Sequence, residues 1–214
     1  MDFEATLSFF FRFDFLIVLS LIISLCFLKN FQNRLFKLIL ILLLTTEFLS
    51  VFFLILDIQL SLLYSVSFII HNCLWIFIIL KNIKNKKTAN FLFSAYLLFS
   101  LINLFFIEGL KNLNYNIFII GSITYLLLFI VINVLNLKNE NLDFFKSNNY
   151  LMLCCPILFF FGFGLMFSFR ENKLLSIIII NKINLYQTIS YFVNTVYYTL
   201  ILIFSYRERK LQNG

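Results

Sequence analysis

The sequence predicts an all-α membrane protein: a polytopic bundle of about seven transmembrane helices in one domain, residues 1–214, with the N-terminus outside and the C-terminus in the cytoplasm. Three observations predict it. First, 62% of the residues are hydrophobic, only 13% are charged, and the mean hydropathy is +0.96. A water-soluble surface needs about 25–35% charged residues to stay dispersed, so this chain needs lipid around it. Second, the apolar residues come in runs close to the roughly 20 residues that a helix needs to cross a hydrocarbon core about 30 Å thick. These runs do not alternate as barrel strands would, so the helix is the way their amide groups stay paired in lipid. Third, the Lys and Arg residues fall in short clusters between the runs.

The first span is read near residues 13–29. It follows the start MDFEATLSFFFRFDF, which is acidic and aromatic where a signal peptide carries a basic n-region and a small-residue cleavage site. The segment is therefore expected to remain as a helix, with Arg12 snorkelling to the headgroups. The short loop KNFQNR leads to a span at 35–56, and the tight DIQ turn folds the next span, 60–80, back against it as an antiparallel hairpin. The basic loop KNIKNKKTAN precedes a span at 91–107, and EGLKNLNYN precedes one at 117–137. After LKNENLDFFKSNN comes a span at 150–169, opened by Pro156, a position near a helix start where proline requires no kink. Gly162 and Gly164 within it point to close helix contact. The last span, 183–206, follows RENKLLSIIIINK, whose LLSIIIIN stretch at 174–181 reads as an interfacial helix or as an extension of that span.

Orientation follows from the bias of Lys and Arg toward cytoplasmic loops. With the N-terminus outside, twelve of the 17 basic residues lie on the cytoplasmic side, among them Lys29, Lys84 and Arg207. Arg12, Lys111, Arg170, Lys173 and Lys182 lie on the other side, along with Asp2, Glu4, Asp14, Asp57, Glu108 and Glu171. A span miscounted between these clusters would remove the bias, which is read as support for the odd number.

The same placement excludes nucleic acid as the reason for the formal charge of +7, because bases next to apolar runs serve lipid headgroups and topology. Cys26, Cys73, Cys154 and Cys155 form no C-x-x-C pair, and one His completes no metal set, so no metal and no cofactor is expected. No nucleophile elbow, H-E-x-x-H, phosphate loop or paired carboxylate is present, and no Lys lies in the last span to carry retinal. The reading therefore favours a protein that is not an enzyme.

What remains is polarity inside the spans. Glu47 lies in the middle of KLILILLLTTEFLSVFFLIL, where an acidic side chain costs on the order of 3 kcal/mol to insert, so it should face protein. His71 lies mid-way along the third span, and both residues are twelve positions from Gln59, which makes a Glu47 to His71 contact geometrically available. Ser61, Tyr64, Ser67, His71 and Trp75 share one helical face. Tyr96, Ser100 and Asn103 share one on the fourth span, and Asn184, Gln187, Tyr191, Asn194 and Tyr198 share one on the seventh. These faces should look inward. The expected intramembrane polar site is Glu47, His71, Asn103, Tyr191 and Asn194, read either as interhelical bonding or as the lining of a cavity. Tyr115, Tyr150 and Tyr206 are expected as interface anchors.

The acid in the second span (TTEFLS), the Pro and Gly in the sixth (CCPILFFFGFG) and the Asn/Tyr-rich seventh ending in YRERK resemble the small bacterial multi-helix membrane proteins found beside or fused to sensor kinases. That resemblance implies a sensory or scaffold module and assigns no ligand. The AT-rich residue usage fits a bacterial source, hence the cytoplasmic (inner) membrane. The chain ends at Gly214 without a kinase domain, so signalling would require a membrane or cytoplasmic partner at the basic loops. The expected role is a non-enzymatic sensory, anchoring or complex-subunit module; the alternative is a small-solute or proton-coupled carrier using Glu47.

Overall fold

The computed structural model of the protein describes residues 3–28, 34–83, 85–170, 176–180 and 183–213, the side chains of 3–14, 179, 180, 183 and 213 excepted. It is an all-α bundle: α1 (Phe3–Phe27), α2 (Arg34–Ile55), α3 (Ser61–Leu80), α4 (Lys86–Ile102), α5 (Tyr115–Lys138), α6 (Leu142–Lys146), α7 (Asn148–Cys154), α8 (Ile157–Ser168) and α9 (Leu185–Asn213). A π-helical turn, Asn103–Ile107, extends α4. Of the expected charges, Asp2, Lys29, Lys84, Glu171, Lys173 and Lys182 lie outside the described residues, and Glu4, Arg12 and Asp14 are described in backbone only.

Among the described residues, six helices, with α7 and α8 taken as one unit, are long and apolar enough to cross a bilayer by length and composition. This corrects the expected seven. Where a span was expected at 13–29, the residues described with their side chains give the shorter apolar segment Phe15–Phe27 of α1. The helix nevertheless packs against α2 and α9.

Loops end the helices by recognisable chemistry. At the end of α2, Asp57 takes a left-handed conformation (φ 56°), with its N–H donating to Leu54 O and that of Ile58 to Phe53 O. Glu140 (φ 53°) closes α5 in the same way, with bonds to Leu137 O and Asn136 O. Both are Schellman closures in which an acid takes the place usually given to glycine. Asn85 caps α4, accepting from the N–H groups of Lys87 and Thr88.

The start of the last helix departs from expectation. Asn184 accepts from the Gln187 N–H (2.8 Å) while Gln187 Oε1 accepts from the Asn184 N–H (3.1 Å), a capping box. These two residues thus begin α9 rather than extend its inward polar face. Within the 174–181 stretch, Ile178–Ile180 pairs antiparallel with Ile183–Asn184, forming neither an interfacial helix nor an extension of the span. Runs of β-branched residues favour that extended state.

Pro156 also acts differently. It sits in a break between α7 and α8, where its missing N–H interrupts the helix ladder. The carbonyl of Leu153, beside the break, accepts from the Tyr125 hydroxyl at 2.8 Å.

α3, α5 and α8 form the centre, α9 packs on α8, α1 on α9, and α4 leans on α3. Phe118 of α5 touches Phe68, Phe159, Phe160 and Phe167 edge-on or tilted, which fills the interior between these helices. The helices alternate in direction, so the basic segments gather at one end. There Asn149 contacts Asn82 (3.5 Å), Asn148 donates to Glu208 (2.6 Å) and Arg209 lies over the Phe27 ring. Ten described cations occupy this end: Arg34, Lys37, Lys81, Lys86, Lys87, Lys138, Lys146, Arg207, Arg209 and Lys210, beside Glu140, Asp143 and Glu208.

Candidate functional site

The bundle holds its polarity in three places. At mid-depth, the break-free helix α3 presents His71 and, one turn on, Trp75, both buried. Their partner is Tyr197 of α9: His71 Nε2 lies 3.1 Å from the Tyr197 hydroxyl, and the Trp75 indole N–H points at both His71 Nε2 (3.1 Å) and Tyr197 Oη (3.2 Å). An indole can only donate, so Nε2 is an acceptor here and the ring's proton sits on Nδ1. The Tyr197 hydroxyl then donates to Nε2 while accepting from Trp75. Phe159 and Phe160 close on the imidazole at 5.4 and 5.7 Å between ring centroids.

Beside this triad, Asn72 donates to Ile117 O (3.4 Å), and the Tyr96 hydroxyl donates to the same carbonyl (3.3 Å). Gly121 permits the approach, since a Cβ there would overlap the Asn72 amide and the Tyr96 hydroxyl. Asn72 Oδ1 and Ser122 Oγ are buried without a hydrogen-bond partner among the described residues.

The third place is a clasp at the end opposite the basic loops. Asn103, fully buried at the start of the π-helical turn, donates to Glu108 Oε2 (2.6 Å) and Asn114 Oδ1 (2.9 Å). Glu108 also accepts the Asn116 N–H at 3.1 Å, and Asn114 donates to Ser65 Oγ and to the Gly109 and Asn112 carbonyls. Arg170 stands 3.9 Å from Glu108 Oε1 and covers the Tyr115 ring at 4.6 Å. The α4–α5 loop is thereby fastened to α3 and α8.

The five expected site residues do not converge. His71 belongs to the central triad and Asn103 to the clasp, while Tyr191 and Asn194 are half-buried on α9. Asn194 donates to Ser190 Oγ at 3.5 Å and borders a groove of about 280 Å³ between α1 and α9, lined by Leu16, Ser20, Ile23, Tyr198 and Leu202 among others. Glu47 is half-buried on α2. Its neighbour Thr46 meets Ser67 of α3 hydroxyl to hydroxyl at 2.9 Å, which sets the hairpin register. In that register Glu47 stands level with about residue 66, roughly 7 Å from the level of His71. The equal-depth argument fails because the helices do not meet symmetrically about Gln59. A double-mutant cycle of Thr46→Ala and Ser67→Ala, read by unfolding in mixed micelles, is expected to give a coupling of about 0.6 kcal/mol, the usual worth of an interhelical bond in lipid.

Sequence reasoning missed Tyr197, Asn72, Asn114 and Glu108 as participants. Asn72 was signalled by its place next to His71 and seven residues after Ser65, the spacing that returns to one helix face. Tyr197 carried no such signal, because its neighbour Tyr198 matched the polar period instead. Among the described residues no group of three or more His, Cys, Asp or Glu could hold a metal. All four cysteines are free thiols. No protein-family model matches the chain, and neither the curated proteins nor the solved structures contain a significant match.

Proposed function

We propose that this integral membrane protein is a non-enzymatic sensory, anchoring or complex-subunit module of the bacterial cytoplasmic membrane, with its basic end in the cytoplasm. The observation that carries the reading is how the interior polarity is used. His71, Trp75 and Tyr197 direct their polar atoms at one another, and Asn103, Glu108 and Asn114 do the same at the opposite end. Such networks hold helices in fixed relation, which suits a module that transmits or anchors. The placement of ten described cations at one end supports a cytoplasmic location for that end, since translocating them is costly. It also supports the α9 terminus, with exposed Arg207, Arg209 and Lys210, as the contact for a partner with an acidic surface, of the sensor-kinase type that the sequence resembles.

The test is purification of the full chain from native membranes in mild detergent after crosslinking. The expected result is a co-purifying signalling protein that is lost, with the bundle intact, when Arg207, Arg209 and Lys210 are replaced by Gln. Solute uptake by proteoliposomes that Glu47→Gln abolishes would overturn this reading in favour of the carrier. A chain that recovers no partner from crosslinked membranes would overturn it as well.

A further inference from the structure

The seam between α1 and α9 changes character along its length. Both helices run toward the basic end, and they meet there at Phe27 and Tyr206, whose rings are 6.0 Å apart. Arg209, one turn further, lies over the Phe27 ring at 5.2 Å. Away from that end the seam opens into the groove of about 280 Å³, walled by Leu16, Ser20 and Ile23 of α1 and by Thr195, Thr199 and Leu202 of α9. The wall carries no charge, and the hydroxyls of Ser20 and Thr195 donate to the carbonyls of Ile17 and Tyr191. Thr195 and Thr199 are exposed, so the groove is open to the bilayer along its side.

We propose that this seam binds one anionic phospholipid of the leaflet at the basic end, with the phosphate at Arg209 and an acyl chain in the groove. Depth selects the leaflet. The charges of α9 begin at Arg207, so Tyr206 marks the level of the membrane surface. Leu202 and Thr195 lie four and eleven residues before it, about 6 and 17 Å into the hydrocarbon at about 1.5 Å per residue. One leaflet of a core about 30 Å thick is about 15 Å deep, so the groove covers the depth of the chains on this side and stops near the midplane. Charge selects the headgroup. Arg207, Arg209 and Lys210 are exposed, and the one acid among them, Glu208, is taken up by Asn148 of α7 and by Gln212. Thr195, Thr199, Leu202, Tyr206 and Arg209 follow one another along the same side of α9, and the contact of Arg209 with Phe27 sets it on the α1 side, in line with the groove. Its guanidinium offers a fork of donors that fits a phosphate. Topology alone accounts for cations at this end; it does not account for one of them standing in line with an uncharged groove that reaches the midplane. The site requires only that the basic end lie at a membrane surface, whatever role the protein has.

Binding of palmitoyl-oleoyl phosphatidylglycerol to the full chain in detergent, followed by native mass spectrometry, tests the site, with phosphatidylcholine of the same chains as the neutral probe. Phosphatidylglycerol is expected to bind about fivefold tighter, the worth of one basic residue at an anionic headgroup. Arg209→Gln should remove most of that preference, while Lys87→Gln, which removes an exposed cation of α4 at the same end, should leave it in place. Thr199→Phe should weaken both lipids about fivefold, because the ring takes the space in which the chain makes its van der Waals contacts. Thr199 is exposed, so the larger side chain does not enter the core. Equal binding of the two lipids, equal effects of Arg209→Gln and Lys87→Gln, or an unchanged affinity in Thr199→Phe would each overturn the proposal. So would displacement of the lipid by glycerol phosphate at equal concentration, because the headgroup would then bind without the chain.

Discussion

Replacing Trp75 by Ala is expected to cost the bundle about 3 kcal/mol, the low end of what a buried Trp to Ala change removes. Trp75 has no exposed surface and is the largest fully buried side chain. Its ring meets Phe36 at 5.8 Å and Tyr125 at 6.1 Å, both edge-on, and so joins α2, α3 and α5. Truncation leaves a void that these stiff rings cannot close. The polar loss is smaller, because His71 Nε2 and the Tyr197 hydroxyl still have each other at 3.1 Å. Trp75→Phe keeps most of the volume and loses only the N–H, so it should cost under about 1.5 kcal/mol. Unfolding by increasing SDS fraction in mixed micelles separates the two variants. Equal losses would show that the indole N–H, and not its packing, holds the centre.

Gly121→Ala is expected to cost the bundle about 1–3 kcal/mol as overpacking. The added methyl would overlap the Asn72 amide and the Tyr96 hydroxyl, whose movement breaks both bonds to Ile117 O. Gly164→Ala is the comparison: its Cβ would meet Ser122 Cβ at 3.4 Å, near ordinary contact, and should cost a few tenths of a kcal/mol at most. A Gly121→Ala protein as stable as the Gly164→Ala protein would refute the close packing of α3, α4 and α5 at this point.

The helices were legible in the sequence because the penalty for polarity in lipid is levied residue by residue, so the runs at 35–56, 60–80 and 117–137 announce themselves. Tyr96, Ser100 and Asn103 were legible as one face for the same reason, since their spacing is a property of one helix, and all three are buried. The pairing of His71 was not legible. It depends on the rotation of α3 against α9, which is decided by Gly162 letting α8 approach Val193 and by Thr46 meeting Ser67, contacts that no single helix encodes. The capping by Asn184 and Gln187 was hidden because a capping box and a polar helical stripe both place such residues three apart. The break at Pro156 was misplaced because a helix start and a mid-span interruption differ only in what precedes the proline, here the short helix NNYLMLC.

The gathering of ten described cations beside only Glu140, Asp143 and Glu208 at one end makes the bundle sensitive to voltage as a whole. In a membrane held 100 mV negative on that side, each unit of charge carried to the other face costs about 2.3 kcal/mol, and the excess of seven gives about 16 kcal/mol. An energised membrane therefore acts as a latch that keeps inserted chains from inverting, and chains inserted after the gradient is collapsed are expected to lose that selection.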